Sequence, residues 1–304
     1  MVVPTTDSGA ASGAAPDRLA ADTAMGPVTL RVADLDAMIR YYRDGVTLEL
    51  LSHDGPVAVL GRGGVPAVIL QHAPELKHAS PRSAGLFHTA ILFDTREALA
   101  TALLSVASKH PGTFTGSADH LVSEAFYFDD PEGNGVELYF DRDRSTWSWT
   151  HGTVEMATIF LDPNGYLREH LTERGADAAA AGRGLGSAGV GHVHLSVGDV
   201  ASAREFYVDR LGFDQTATYG DQALFVSAGG YHHHMAMNTW KSLGAGRRQL
   251  ALGLGKVEIL VPTADDLGEL GERMAHFRVP TRDDGRTVAF DDPWANVVEV
   301  RSAQ

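Results

Sequence analysis

The chain repeats itself, and few architectures survive that constraint. Val28-Thr-Leu-Arg-Val32 matches Val193-His-Leu-Ser-Val197 at an offset of 165. Gly63-Gly64 matches Gly229-Gly230 at 166, and Phe128-Asp-Asp-Pro131 matches Phe290-Asp-Asp-Pro293 at 162. Three local matches at nearly one offset mark a tandem duplication. The 304 residues are enough for two domains with sizeable cores.

Each half divides again. Residues 28–32 alternate as a strand, and Asp34 can cap a helix that carries Leu35, Met38, Ile39 and Tyr42 at helical spacing. Apolar runs at 48–51, 57–60 and 65–70 follow, parted by Gly, Pro and Asp. The pattern recurs from 87, from 193 and from 257, with Thr95, Asp199 and Thr263 opening the helices. The expected fold class is therefore α+β, built from four tandem duplicated βαβββ units. Residues 1–25 lack an apolar period and read as a disordered tail. An N-terminal domain is expected over 26–141, an interdomain connection over 142–186 and a C-terminal domain over 187–304.

Composition closes off several functions. The formal charge of −14 argues against a broad nucleic-acid surface. No run approaches the ~18 apolar residues needed to span a bilayer. There is no cysteine, which excludes disulfides, thiolate metal sites and cysteine nucleophiles, and fits a cytoplasmic protein. A metal in this chain must be held by His, Asp or Glu.

The segment Gly229-Gly-Tyr-His-His-His-Met-Ala-Met-Asn238 supplies such donors. Read as the end of a strand over 232–237, it places His232 and His234 on one face and turns His233 away. Gly191-His-Val-His-Leu-Ser-Val197 and the closing Val297-Val-Glu-Val300 supply partners of the right kind. We read His192, His234 and Glu299 as two imidazoles and one carboxylate around one divalent metal, with His232 as the alternative to His234. Comparison of the two halves sets His192 against Pro27, His234 against Val68, Glu299 against Glu137 and Lys256 against His88. Pro and Val bind no metal, so a single centre in the second half is expected, with His88 and Glu137 structural.

The βαβββ units, the His-x-x-Leu-x-Val strand at His192, the histidine cluster and the closing Asp-Pro-x-x-Asn-x-x-Glu together resemble the vicinal oxygen chelate superfamily, which embraces glyoxalases, bleomycin resistance proteins and extradiol dioxygenases. The two-domain layout looks like the catechol 2,3-dioxygenase branch. The resemblance covers roughly residues 26–303. It implies paired units forming half-open barrels around a metal cavity. It also implies Fe(II) at His192, His234 and Glu299, with Mn(II) or Zn(II) as alternatives, and a homo-oligomer. Members of the family carry further histidines and a tyrosine for proton transfer. By spacing these positions fall near Tyr219, at or beside Lys256 and near Ala289, so His194, Tyr219 and Lys256 stand as the acid–base candidates.

The expected function is metal-dependent extradiol cleavage of a catechol-type aromatic with O₂. The alternatives are a non-oxidative metal-dependent isomerase, lyase or resistance protein of the same superfamily, and a non-catalytic binding protein for a small molecule.

Overall fold

The computed structural model describes residues 18–303 of the chain. The first unit comprises β1 (Val28–Val32), α1 (Leu35–Arg40), β2 (Glu49–Asp54), β3 (Val57–Arg62) and β4 (Val65–His72). The second comprises β5 (Gly85–Phe93), α2 (Arg96–Lys109), β6 (Phe114–Asp119), β7 (Ser123–Asp129) and β8 (Gly135–Asp141). The third comprises β9 (Ala188–Ser196), α3 (Val200–Arg204), β10 (Asp214–Tyr219), β11 (Ala223–Ser227) and β12 (Met235–Asn238). The fourth comprises β13 (Gly253–Val261), α4 (Ala264–His276), β14 (Thr281–Asp283), β15 (Thr287–Asp291) and β16 (Val297–Ser302). The caps are those the sequence supplies. Asp34 and Asp199 accept from the backbone N–H of Ala37 and Ser202, and Thr95 and Thr263 do the same for their helices. The duplication extends to detail: α1 and α3 both run on into a π-helical turn, Tyr41–Gly45 and Glu205–Arg210.

The strands form two curled sheets. One has the order β10-β11-β12-β9-β5-β8-β7-β6, the other β14-β15-β16-β13-β1-β4-β3-β2. Units two and three thus share one sheet, and units one and four share the other. Unit one does not pair with unit two, nor unit three with unit four, as halves folding separately would have it. Each unit's first strand presents a free edge that must be covered, and the sequence of a unit does not say which other edge covers it. Here β5 pairs antiparallel with β9, and β13 with β1.

Strand alternation then sorts the side chains. Val193, Leu195 and Val197, with Ile91, Phe93, Val257, Ile259 and Val261, enter one apolar core shared by both sheets and the helices. The intervening residues of β5 and β9 face away from that core. Two buried bonds tie the units across the sheets. The Tyr42 hydroxyl donates to Asp130 at 3.1 Å, and the Tyr207 hydroxyl donates to Asp292 at 3.0 Å. Asp130 and Asp292, not the preceding Asp129 and Asp291, organise their turns by accepting from the backbone N–H of Asn134 and Asn296. Burial pushes the Asp130 carboxyl up to about 6 against the hydrogen bonds that oppose the shift.

The expected tail needs a correction. Residues 1–17 lie outside the described residues, but Arg18 onward is docked. Arg18 donates to the carbonyls of Val208 and Phe213 at 2.8 and 3.2 Å, and Leu19 is buried. Ala24–Met25 adds a short strand to β13. The composition of the tail hid this because two anchoring side chains make no period. A chain starting at Met25 is expected to lose about 2–4 kcal/mol of stability, the combined burial of Leu19 and the Arg18 hydrogen bonds. Urea unfolding checks this; an unchanged midpoint would show the docking contributes nothing.

Candidate metal centre

The register at the centre of the first sheet brings the donors together. Across four strands, Tyr127 on β7 pairs with Glu137 on β8, Glu137 with Ala90 on β5, and Ala90 with His192 on β9. Two residues along, His88 pairs with His194, and His194 with Ala236 on β12. His88 and Ala90 share one face of β5, as His192 and His194 share one face of β9. Ala90 has no bulk, so Glu137 and His192 reach one another over it. Their separation is 3.1 Å between Glu137 Oε2 and His192 Nε2. The same oxygen lies 2.9 Å from His88 Nε2.

His88, Glu137 and His192 are all buried, and one donor atom from each lies within 4.8 Å of the others. The chemistry of this set suits a divalent cation. At 2.9 Å from the carboxylate, His88 Nε2 still makes no properly directed hydrogen bond, and His192 Nδ1 has no partner either. A buried polar atom left this way is costly, and a cation among the three would satisfy His88. The charge states fit too. Burial lowers His192 to about 4, so its ring is neutral near pH 7. Burial also pushes Glu137 upward, but the facing His192 and His88 outweigh it and hold the carboxylate well below its usual range. Neutral imidazoles and an ionised carboxylate are the forms that ligate.

Further titratable side chains surround the cluster. His194 accepts from the Asn238 amide at 2.9 Å. Tyr127 Oη and His120 Nε2 are 2.7 Å apart, and His120 Nδ1 is 2.6 Å from the Ala157 carbonyl. A carbonyl only accepts, so Nδ1 carries a hydrogen, and on a neutral ring the Tyr127 hydroxyl donates to the bare Nε2. Burial and then the charge of Glu137 hold Tyr127 far above its usual range, so it stays a neutral phenol. The His233 ring lies 4.1 Å from His192, centre to centre. Tyr139 packs on His192 from the other side at 4.8 Å. That contact requires Gly191, because a Cβ there would fall 1.7 Å from the Tyr139 hydroxyl.

A β-bulge shapes one wall. His88 and Leu86 on β5 oppose His194 and Leu195 on β9, which leaves Phe87 as the extra residue. Bulges re-aim side chains, and the Phe87 ring meets His194 at 4.9 Å and Trp240 at 5.3 Å. Gly255 occupies the matching bulge of the other sheet.

The sequence-derived set is only partly assembled. His192 and His194 face the cluster. Glu299 does not: it lies on β16 of the other sheet, in a short ion pair with Lys256. His234 is turned away, with Nδ1 accepting from the Ala228 N–H at 3.2 Å and its ring stacked on Phe213 at 6.2 Å. Burial lowers it to about 3. Tyr219 is 67 % exposed at the end of β10. The reason is twofold. Units two and three share the sheet, so the histidine and carboxylate expected to be structural are the ones beside His192. And 231–234 is not strand, since β12 begins at Met235; the two-residue alternation does not apply there. Sequence reasoning passed over Tyr127, His120 and His233. A signal for one existed: the count that reaches Ala289 back from Glu299 reaches Tyr127 back from Glu137.

Comparison with known proteins identifies the family. The profile of the Glyoxalase/Bleomycin resistance protein/Dioxygenase superfamily matches residues 24–138 and 189–300. A catechol-2,3-dioxygenase of Bacillus subtilis (strain 168) is 35% identical over 277 residues, 90% of this chain and 94% of that protein. Among solved structures, a provisionally assigned dioxygenase from Bacillus subtilis aligns with a TM-score of 0.61 at 14% identity, over 94% of this chain and 86% of its own. Glyoxalase I from Zea mays aligns with a TM-score of 0.55 at 17% identity, over 92% of each chain. The chain belongs to the glyoxalase/bleomycin resistance protein/dioxygenase superfamily.

Proposed function

We propose that the protein is an extradiol dioxygenase that cleaves a catechol-type aromatic with O₂, using one divalent metal held by His88, Glu137 and His192. The observation that carries this reading is the buried His-Glu-His cluster in a chain so similar, end to end, to a catechol-2,3-dioxygenase. Two neutral imidazoles and one carboxylate on one side of an ion leave positions open, which is the donor pattern of iron(II) oxygenases. Fe(II) is the first choice because zinc has no redox chemistry. When bound, the ion would supply a chelation point for a diol and a path for electrons between ring and O₂.

The chain's own residues supply the rest. Phe87, Phe225 and the half-exposed Trp240 give an apolar wall beside His194 for an aromatic ring. Tyr127 can take up a phenolic hydrogen as its own passes to His120 Nε2, and the neutral ring of His233 can take up another. Lys256 and Tyr219 have no part in this reading. Metal-dependent chemistry without O₂ remains the competing outcome of the tests below.

Metal content separates the two ligand sets. About one divalent ion per chain is expected in the reconstituted wild type and in Glu299→Gln, and its loss in His88→Ala and His192→Ala. Elemental analysis decides; metal kept by His88→Ala and lost by Glu299→Gln would reverse the assignment.

Activity separates the reactions. Anaerobic loading with Fe(II), then a panel of substituted catechols and O₂, should give ring-fission product with stoichiometric O₂ uptake. Tyr127→Phe is expected to lower kcat by about 10²-fold with metal retained, and Tyr219→Phe and Lys256→Met to leave it unchanged. No O₂ consumption across the panel with iron fully loaded would move the reading to isomerase or lyase chemistry.

A further inference from the structure

Beyond the cluster, a line of polar side chains runs from β8 to the site and has no counterpart in the other sheet. Asp141, at the end of β8, accepts on both oxygens. The Tyr231 hydroxyl donates to Oδ2 at 2.7 Å, and His232 Nε2 lies 2.8 Å from Oδ1. His232 Nδ1 is then 2.7 Å from His233 Nδ1. Tyr139 and Tyr231 hydroxyls are 2.7 Å apart; since Tyr231 gives its hydrogen to Asp141, Tyr139 donates to Tyr231. His232 and His233 are both buried, and Thr216 fixes the segment by donating to the His232 carbonyl at 2.6 Å.

For neutral rings the donor–acceptor inventory leaves one consistent assignment. A carboxylate cannot donate, so the hydrogen between Asp141 and His232 sits on His232 Nε2. A neutral imidazole carries one hydrogen, and with His232 in that form its Nδ1 is bare. The 2.7 Å contact therefore needs its hydrogen on His233 Nδ1, which leaves His233 Nε2 as a free lone pair. That ring lies against His192. We propose that Asp141, acting through His232, fixes His233 in the tautomer that offers a bare Nε2 to the site. Asp141 and His232 are positioning residues; His233 is the group they serve. The logic is that of a carboxylate holding a histidine in one tautomer, lengthened by one ring.

The duplication supports a functional origin. Val28 pairs with Val68 in one sheet and Val193 with Met235 in the other. Between the double glycine and that position lie Val65, Pro66 and Ala67 in the first half, but Tyr231, His232, His233 and His234 in the second. Asp141 corresponds to Ala303. The extra residue breaks the strand and folds the imidazoles onto one another, and every polar member occurs only in the sheet that holds the cluster.

The tautomer follows from the hydrogen-bond geometry of neutral rings; its effect on turnover rests on the dioxygenase reading. Long-range ¹H–¹⁵N correlation on the full-length chain with ¹⁵N-histidine, metal-free and zinc-loaded, reads it directly, with His233→Gln used for assignment. The expected result is hydrogen on His232 Nε2 and on His233 Nδ1. Hydrogen on His233 Nε2 in the wild type overturns the proposal, whatever the variants do. Asp141→Leu should scramble both tautomers and lower kcat about 10-fold or more with metal content held. His232→Gln, whose amide can donate to Asp141 and accept from His233, should keep the His233 tautomer and most of the rate. Tyr231→Phe, which removes the other bond to Asp141, should leave the tautomer intact. A His233 tautomer unmoved in Asp141→Leu, or lost equally in Tyr231→Phe, would show that Asp141 only supports the fold. If no variant and no wild type turns over a catechol, the function fails while the tautomer result stands.

Discussion

The antiparallel seam between β5 and β9 is the constraint on which the rest depends. It joins two units separated by the long connection after β8, and its register alone sets Ala90 opposite His192 and His88 opposite His194. A slip of one residue would carry every one of these side chains to the core face and bring Val193 and Leu195 out. The apolar faces of both strands are fully buried, so the register is strongly enforced from the other side. Site geometry is thus a by-product of core packing: the strands align because Val193, Leu195, Ile91 and Phe93 must be covered, and the donors follow.

How much of this the sequence disclosed can be judged residue by residue. The four units, their capped helices and the Phe-Asp-Asp-Pro turns are local patterns, and they were readable because period and caps are local physics. His192 reads as a ligand and His88 and Glu137 as structural residues, and each stands on the strand expected. Their union was not readable. It depends on which strand edge covers which, and two edges with the same alternation are equivalent on paper. His234 failed for a smaller reason. One residue more than in the first half lies between Gly230 and Met235, so the strand starts late and the alternating faces never apply to Tyr231 through His234.

Histidines so densely buried would be hard to accommodate if they were charged. Burial lowers His192, His194, His233 and His234 together. Hydrogen-bond partners for the buried rings come largely from within: Asn238 for His194, Ala157 and Tyr127 for His120, Asp141 and His233 for His232. The residues 149–161 matter here although they carry no cluster side chain. Their backbone runs along β6, with Ile159 paired to Asp119 and Ala157 to His120, and so sets the hydrogen on His120. The connection is part of the site's second support as much as a link between halves.

The other sheet shows what the same frame does without a cluster. Glu299 stands where Glu137 stands, and Lys256 stands where His88 stands. Glu137 is buried and Glu299 half-buried, and a carboxylate withdrawn from water must be balanced; the two halves do so differently. In one, two imidazoles converge on a single oxygen and leave room and lone pairs for an ion. In the other, the ammonium of Lys256 pairs with Glu299 and lies 3.8 Å from Glu258, which Arg301 also engages. Where Ala90 leaves a gap, Glu258 fills it, and Gly26 is needed beside it because a Cβ would meet the Glu258 side chain at 2.8 Å. The carboxylate is therefore common to both halves, and the residues opposite it decide whether its charge is balanced from within or kept available for a ligand.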